Sequence, residues 1–456
     1  MLRIASILFL VASSHAGVLD KGLLSAFTSG TKKMNVVFQF PNVMGDVLSS
    51  GVLNGLSGDD KASKMVSSLK EQTSAMQAPI ISSLGLFGIN EDQVTSFWAN
   101  NMFEVKDAEL GPLQAAAALP GAFTIRAPYK VNALPIDEAT RVSTRAANVT
   151  LQWGVAKIHS DIVWKAGFAG QGVVVGVIDT GLNAQHVALV NRYRGGPYSW
   201  KDAVGQEADP YDGHGHGTHC AGTIAGDANG IGVAPQAQIM ACKGLDDRGS
   251  GSDITLTACG QFMICPSGEE NGCVGRPHIV SNSWGGQPPG DNGWYDPVIS
   301  AMRAANIIPV FAIGNSGPLC NTAGSPGDRP KLISVGATGP DDTIAYFSSR
   351  GTPYKKKPET SAPGVDIVSA DTKNTGGYVK MSGTSMACPH FAGAAALVLS
   401  AHPDYSYDQV VKSLVNSDNS VKPAGSLWDI FCPGYPAGGS GRIDVAKALN
   451  LTSKAT

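Results

Sequence analysis

The sequence predicts an α/β protein whose mostly parallel central sheet is flanked by helices and preceded by a small α+β domain. Three observations carry that prediction. From about Leu151 onward, short β-branched or apolar runs alternate with helical patterns, and strands separated by helices imply a parallel sheet covered on both faces. That stretch is Gly-rich. Residues 17–146 differ from it, with no cysteine and little glycine patterning.

Taken in order, residues 1–16 have a basic start at Arg3, an apolar stretch from Ile4 to Ala12 and small residues Ser14 and Ala16, which predicts a signal peptide and a secreted, extracellular product. No later apolar run approaches the roughly 18 to 20 residues that cross a bilayer, so no membrane partner is expected. Residues 17–146 contain a strand-like "MNVVFQF" and a helical pattern around Lys64 to Ala75. Residues 147–456 form the second predicted domain. Its strands are expected at 173–178, 238–242, 278–283, 307–313 and 332–337, with helices near 252–264 and 296–306 and a buried helix over Phe391 to Leu399.

Bulk properties bound the function. A chain of 456 residues has room for about two or three domains, and a net charge of -3 creates no basic field that would suit nucleic acid. All eight cysteines lie between Cys220 and Cys432. An oxidising destination favours disulfides, and Cys265 with Cys273, bracketing a polar loop, is the best local pair. Zinc is disfavoured, since no CxxC pair is present. Asn148 and Asn450 begin acceptor sequons.

In sheets of this kind ligands bind beyond the carboxyl ends of the strands. Four such places stand out. "VVVGVIDTG" ends a strand with Asp179, which is either a turn residue or a buried orienting carboxylate. "DGHGHGTHCAG" supplies three histidines, and small Gly217, Ala221 and Gly222 suggest a closely packed helix starting near His216. One imidazole there is a candidate general base. "VFAIGNSG" ends a strand at Gly314 and Asn315, an amide able to donate to an oxyanion. "VSNSWGG" carries Ser283, Trp284 and Gly285, where glycine permits close approach of an extended peptide. A fifth stretch, "GTSMACPH", holds Ser385, either a helix N-cap or a hydroxyl beside the positive end of a helix.

Together, in this order and with these flanks, the stretches resemble the subtilisin-like serine proteases, which follow the order Asp, His, Ser. The resemblance covers residues 151 to 450, including "GVAP" at 232–235 and "SAPGVDI" at 361–367. "SNSWGG" and the lead into Asp179 are most similar to the bacillopeptidase F branch, and "HGTHCAG" to the proteinase K branch. The resemblance implies a three-layer subtilisin-like fold, with residues 17–146 a propeptide that assists folding and inhibits. It implies that Asp179, His216 and Ser385 form the catalytic triad, and that Asn315 and the Ser385 N–H form the oxyanion hole. Gly249, Ser250 and Gly251 on one side, and Ser283, Trp284 and Gly285 on the other, would grip the peptide.

The specificity pocket is expected from Trp284 to Gly286, Ala312 to Asn315 and Gly324, an open slot that takes sizeable apolar side chains. Asp246 and Asp247 would add at most a mild taste for basic residues. Cys220 and Cys388 are expected as buried, unpaired thiols, leaving up to three disulfides.

The chemistry implied requires no cofactor. The stretch "AGDANGIGVAP" is shorter than the calcium-wrapping loop of many subtilisins, so structural calcium is left open, with Asp227 and Asn229 as available ligands or plain turn residues. The expected product is a monomeric, self-processed endopeptidase acting on protein or peptide substrates, cut between about 136 and 150 within the polar "DEATRVSTRAAN". The alternative is a catalytically silent binding protein on the same scaffold. A lipase or esterase fits less well, since G-T-S-M-A is not G-x-S-x-G.

Overall fold

The computed structural model of the chain describes residues 16–136, 139–142, 151–286, 293–351, 356–417, 419–422 and 437–451. Residues 1–15 of the signal-peptide segment, the Asn148 sequon, Thr452, Cys432 and most of the expected processing stretch lie outside them.

The chain divides into two compact units, one built from residues up to Asp46 and from Ser68 to Pro128, the other from Val47–Ser67 and Tyr129 onward. The smaller unit is α+β. Its strands are β1 (Val18–Leu19), β2 (Met34–Gln39), β3 (Val94–Phe97), β4 (Met102–Ala108) and β5 (Thr124–Arg126), in the order β1-β5-β2-β4-β3. One face of β2 and β4 feeds an aromatic core in which Phe38 stacks on Phe103 at 4.5 Å, joined by Phe40 and Phe123. The helical pattern near Lys64 to Ala75 lies within a longer helix, Gly58–Leu84.

In the larger unit, β6 (Lys130–Ala133) and β7 (Ala139–Val142) precede the main sheet. That sheet uses β8 (Val174–Asp179), β9 (Trp200–Asp202), β10 (Gln238–Lys243), β12 (Ile279–Asn282), β14 (Ile308–Ala312), β15 (Ile333–Thr338) and β16 (Thr360–Pro363); β11 (Ser250–Ser252), β13 (Trp284–Gly285), β17 (Ile367–Ala370) and β18 (Tyr378–Met381) lie outside it. The order is β16-β15-β14-β12-β8-β10-β9 and every pairing is parallel. Its central strands are buried along their length, which is why they read as continuous apolar runs instead of alternating ones. Helices Asp253–Ile264 and Asp296–Ala304 fall where the pattern predicts them.

The helix over Phe391 to Leu399 is longer than its apolar run, spanning Thr384–Ala401. Among the described residues it is the one helix long and apolar enough to cross a membrane, yet 89% of it is buried inside the fold. Val233, Phe391, Ala395 and Val398 belong to a large core cluster that also holds residues of β8, β14 and β15. It is a core helix, apolar all round for that reason.

Two disulfides, Cys242–Cys259 and Cys265–Cys273, are present, and Cys320 is also disulfide-bonded. Cys220 and Cys388 are free and buried. The Cys242–Cys259 bridge ties β10 to the helix Asp253–Ile264 across a sequence separation of 17. Replacing both cysteines with alanine is expected to lower the stability of this unit by about 3 kcal/mol, through restored freedom of the unfolded chain. The check is the urea midpoint followed by near-UV circular dichroism, and an unchanged midpoint would mean that the bridge adds nothing.

Candidate active site

The central parallel strands end on one side of the sheet, and the candidate residues gather there. β8 stops at Asp179. Its Oδ1 accepts from the Thr180 N–H at 2.8 Å and lies 2.7 Å from His216 Nδ1, with both side chains 1% exposed. A carboxylate only accepts, so Nδ1 carries the proton and Nε2 is the lone-pair nitrogen of the neutral ring. Among the described residues Nε2 has no hydrogen-bond partner.

His216 opens a helix, His216–Ala225, and Asp212 holds its beginning. Asp212 Oδ1 accepts from the N–H groups of His214 and Gly215 and from Thr180 Oγ1, while Oδ2 accepts from the Thr218 N–H and hydroxyl, at 2.7–3.1 Å. One carboxylate thus satisfies N–H groups that a helix start leaves unpaired and complements its dipole. The next residue must be small. A Cβ on Gly217 would lie 2.3 Å from the Gly181 carbonyl oxygen and 3.1 Å from Asp179 Cβ, so glycine lets the helix approach the exit of β8 closely enough for the Asp179–His216 bond.

Electrostatics separates the three histidines. Burial opposes charge on His216, but the Asp179 carboxylate prevails and raises its pKa well above 6.5. Burial, then the neighbouring His216, pulls His214 below that value. His219 is fully buried with Nε2 3.0 Å from the Ile367 carbonyl, and burial pushes it down to about 3.

Ser385 is the second residue of its helix, not its N-cap, which is Gly383. Its hydroxyl donates to the Ser283 carbonyl at 3.2 Å, and Ser283 Oγ donates to the Ser385 carbonyl at 3.1 Å. That carbonyl is free because Pro389, four residues on, has no N–H to give it. Cys220 Sγ also donates to it at 3.4 Å while lying 4.0 Å from His216 Nδ1, so the thiol bridges the two helices. Burial raises the Cys220 pKa and pushes Cys388 up to about 12, keeping both thiols protonated. Asp179, His216 and Cys220 have ligand atoms within 4.8 Å of one another, but the carboxylate and imidazole already bond each other and the thiol holds its proton.

Asn315 follows β14. Its Oδ1 accepts from the Thr384 N–H at 2.9 Å and the Thr384 hydroxyl at 2.7 Å, which turns Nδ2 away from them to donate to the Pro135 carbonyl at 2.6 Å. A Cβ on Gly383 would sit 3.1 Å from Asn315 Nδ2 and 3.7 Å from Ser385 N. Those two donors therefore border one small space.

The two predicted edges flank a strand of the chain itself. β6 pairs antiparallel with β11 (Ser250↔Asn132, Gly251↔Val131) and with β13 (Trp284↔Ala133, Gly285↔Asn132), and the Ala133 N–H donates to the Gly249 carbonyl at 2.7 Å. Leu134, 7% exposed, reaches to 3.5 Å from where a Gly285 Cβ would be. The same spot is 3.0 Å from the Ser325 carbonyl oxygen, and a Gly324 Cβ would lie 3.1 Å from that of Gly286. Ala312 shares the core cluster with Leu134, and Gly314 donates to Thr384 Oγ1.

Trp284 corrects the expected pocket lining. Its ring is fully buried, edge-on to Tyr295 and Phe311 at 5.1 and 5.4 Å, so it offers the cleft its backbone only. Asp246 accepts from the Arg248 and Ser250 N–H groups and Asp247 pairs with Lys243 at 2.6 Å; both serve their own loop. Asp227 pairs with Arg192 at 3.1 Å, and Asn229 has φ 56°.

Asp212 is the residue that sequence reasoning missed. Its signal was an acid four places before His216, in front of a Gly-rich turn.

Comparison with known proteins gives a consistent picture. The model of the subtilase family matches residues 170–430. Bacillopeptidase F of Bacillus subtilis (strain 168) is 36% identical over 336 residues, covering 67% of this chain and 22% of that protein. Serine protease AprX of the same organism is 38% identical, covering 56% of the chain and 62% of the relative. Subtilisin DY of Bacillus licheniformis is 38% identical over 60% of the chain and 93% of its own length. The chain thus spans less than two thirds of the first two relatives.

Replacing Asp212 with alanine leaves several buried donors unpaired and is expected to cost about 2 kcal/mol or more. Thermal unfolding followed by circular dichroism checks this, and a melting temperature equal to that of the wild type would contradict the capping role.

Proposed function

The chain belongs to the subtilase family, and on that premise we propose that it is a secreted serine endopeptidase, made as a precursor that processes itself. The observation that carries the reading is the buried Asp179–His216 bond at 2.7 Å on a helix packed against the one bearing Ser385. The relatives' names add to it.

In the proposed reaction His216 Nε2 takes the Ser385 proton as Oγ attacks a peptide carbonyl carbon, and Asp179 holds the ring and stabilises its positive charge. Negative charge develops on the carbonyl oxygen between Asn315 Nδ2 and the Ser385 N–H, at the positive end of a long helix. His216 then returns the proton to the leaving nitrogen, and water hydrolyses the ester by the same route. The base works only when neutral. Because the carboxylate raises the His216 pKa above 6.5, activity should rise with pH through a value above 6.5.

We read specificity as broad, with an apolar preference before the scissile bond, supported by Leu134 beside Gly285 in a slot whose glycines and alanine bring no charge. The inhibitory role of the segment ahead of the protease is supported by β6 lying between the two substrate-gripping edges.

Secreted wild type and Ser385→Ala, assayed on casein, test the reading. The wild type is expected to digest casein and to lose activity with phenylmethylsulfonyl fluoride. The variant should be slower by about 10⁶-fold, the scale known for loss of the nucleophilic serine in subtilisin. Equal proteolysis by both would refute it.

A further inference from the structure

Pro135 is the residue that meets the proposed oxyanion donor Asn315, and proline is a poor one to put there. Before it, β6 is held on both edges, and the Leu134 N–H points to the Ser283 carbonyl at 3.5 Å. At it, Asn315 Nδ2 donates to the Pro135 carbonyl at 2.6 Å. After it, β7 pairs antiparallel with β18, from Met381↔Ala139 to Tyr378↔Val142, and β18 ends four residues before Ser385. The segment is therefore gripped on both sides of Pro135.

We propose that Pro135 makes this segment a self-resistant occupant of the cleft, held as a substrate is held but not hydrolysed at either bond beside Pro135. The inference rests on the protease reading above. Two bonds adjoin Pro135, and each is protected differently.

Cleaving Leu134–Pro135 would form an ester between Ser385 Oγ and the Leu134 carbonyl carbon and break the bond to the proline nitrogen, with His216 carrying the hydroxyl proton to that nitrogen. The pyrrolidine ring occupies the place where other residues have only a hydrogen, crowding the site of proton delivery. Asn315 Nδ2 is moreover aimed at the next carbonyl, that of Pro135, and not at the Leu134 oxygen. Cleaving Pro135–Ile136 would attack the carbonyl that Asn315 does hold. There the acylating residue is proline itself, with no N–H to anchor it to the Ser283 carbonyl, a position Leu134 already takes.

A separate observation agrees. With the segment in place, the Ser385 hydroxyl donates to the Ser283 carbonyl and His216 Nε2 has no hydrogen-bond partner among the described residues. Nucleophile and base are uncoupled. Cuts that free the segment then fall beyond Pro135.

The test is the full chain carrying Pro135→Ala, alone and combined with Ser385→Ala, with new N-termini mapped by mass spectrometry. Ends at residue 135 or 136 are expected in Pro135→Ala only. Such ends in the wild type, or none in a Pro135→Ala chain that still digests casein, would overturn the inference. Should the variant fold poorly, synthetic peptides of residues 128–140 with Pro135 or alanine are incubated with the secreted wild type. The alanine peptide should be cut beside residue 135 at least about tenfold faster, the scale of one restored backbone hydrogen bond, and equal rates would overturn the proposal. A wild-type chain inert on casein would instead remove the protease reading beneath it.

Discussion

The buried hydrogen bond between Asp179 and His216 is the constraint around which the larger unit is arranged. A carboxylate taken out of water is costly unless paired and hydrogen-bonded, and Asp179 is 1% exposed. Each neighbour contributes to making that tolerable. The Thr180 N–H donates to it, Asp212 fixes the start of the histidine helix, and Gly217 lets that helix close on β8. Lys243, also buried, lies at the end of the next strand, where Nζ donates to the Thr180 carbonyl and to Asp247 and rests 4.7 Å over the Tyr211 ring. Positive and negative groups are interleaved across two adjacent strand ends, each oriented by backbone that the parallel sheet holds rigid.

The second helix is fitted to the first through a defect. Pro389 removes one hydrogen bond near the start of the Ser385 helix, a change that ordinarily weakens a helix. Here the released carbonyl becomes the attachment point for Ser283 and Cys220, one from the strand edge beside the cleft and one from the histidine helix. Thr384 does the same for the third element by orienting the Asn315 amide. Every group assigned to the proposed chemistry is thus held by a neighbour from a different element, which is the preorganisation that electrostatic stabilisation of an oxyanion requires.

Much of this was legible in the sequence because the signals were local. Strands β8, β10, β12, β14 and β15 are short apolar runs, and the polar residues that end β8, β12 and β14 are the ones the structure collects. Resemblance then singled out His216 among three histidines, and the physical reason lies in tertiary contacts: a carboxylate faces one ring, while burial outweighs every other influence on His219. The misses are equally physical. Asp212 earns its place only by the direction the chain turns after it. Trp284 sits in a glycine-rich edge but turns its ring into the core. The Ser385 helix begins seven residues before its apolar run, since Thr384, Ser385 and His390 are buried through packing and not through hydrophobicity. Strands β6 and β7 have no sequence signal of their own, because they are completed by edges more than a hundred residues away.

The sign of the titration follows from the same bond. A histidine whose folded pKa is raised lends stability that is fully present below about pH 6.5 and lost as pH rises through the folded value, whereas the proposed activity grows across that range. The most direct measurement is a titration of the His216 ring by nitrogen-15 nuclear magnetic resonance, in the wild type and in Asp179→Asn. The account predicts a pKa above 6.5 that falls when the carboxylate is replaced. A ring titrating at or below 6.5 in the wild type, or one unmoved by Asp179→Asn, would contradict it.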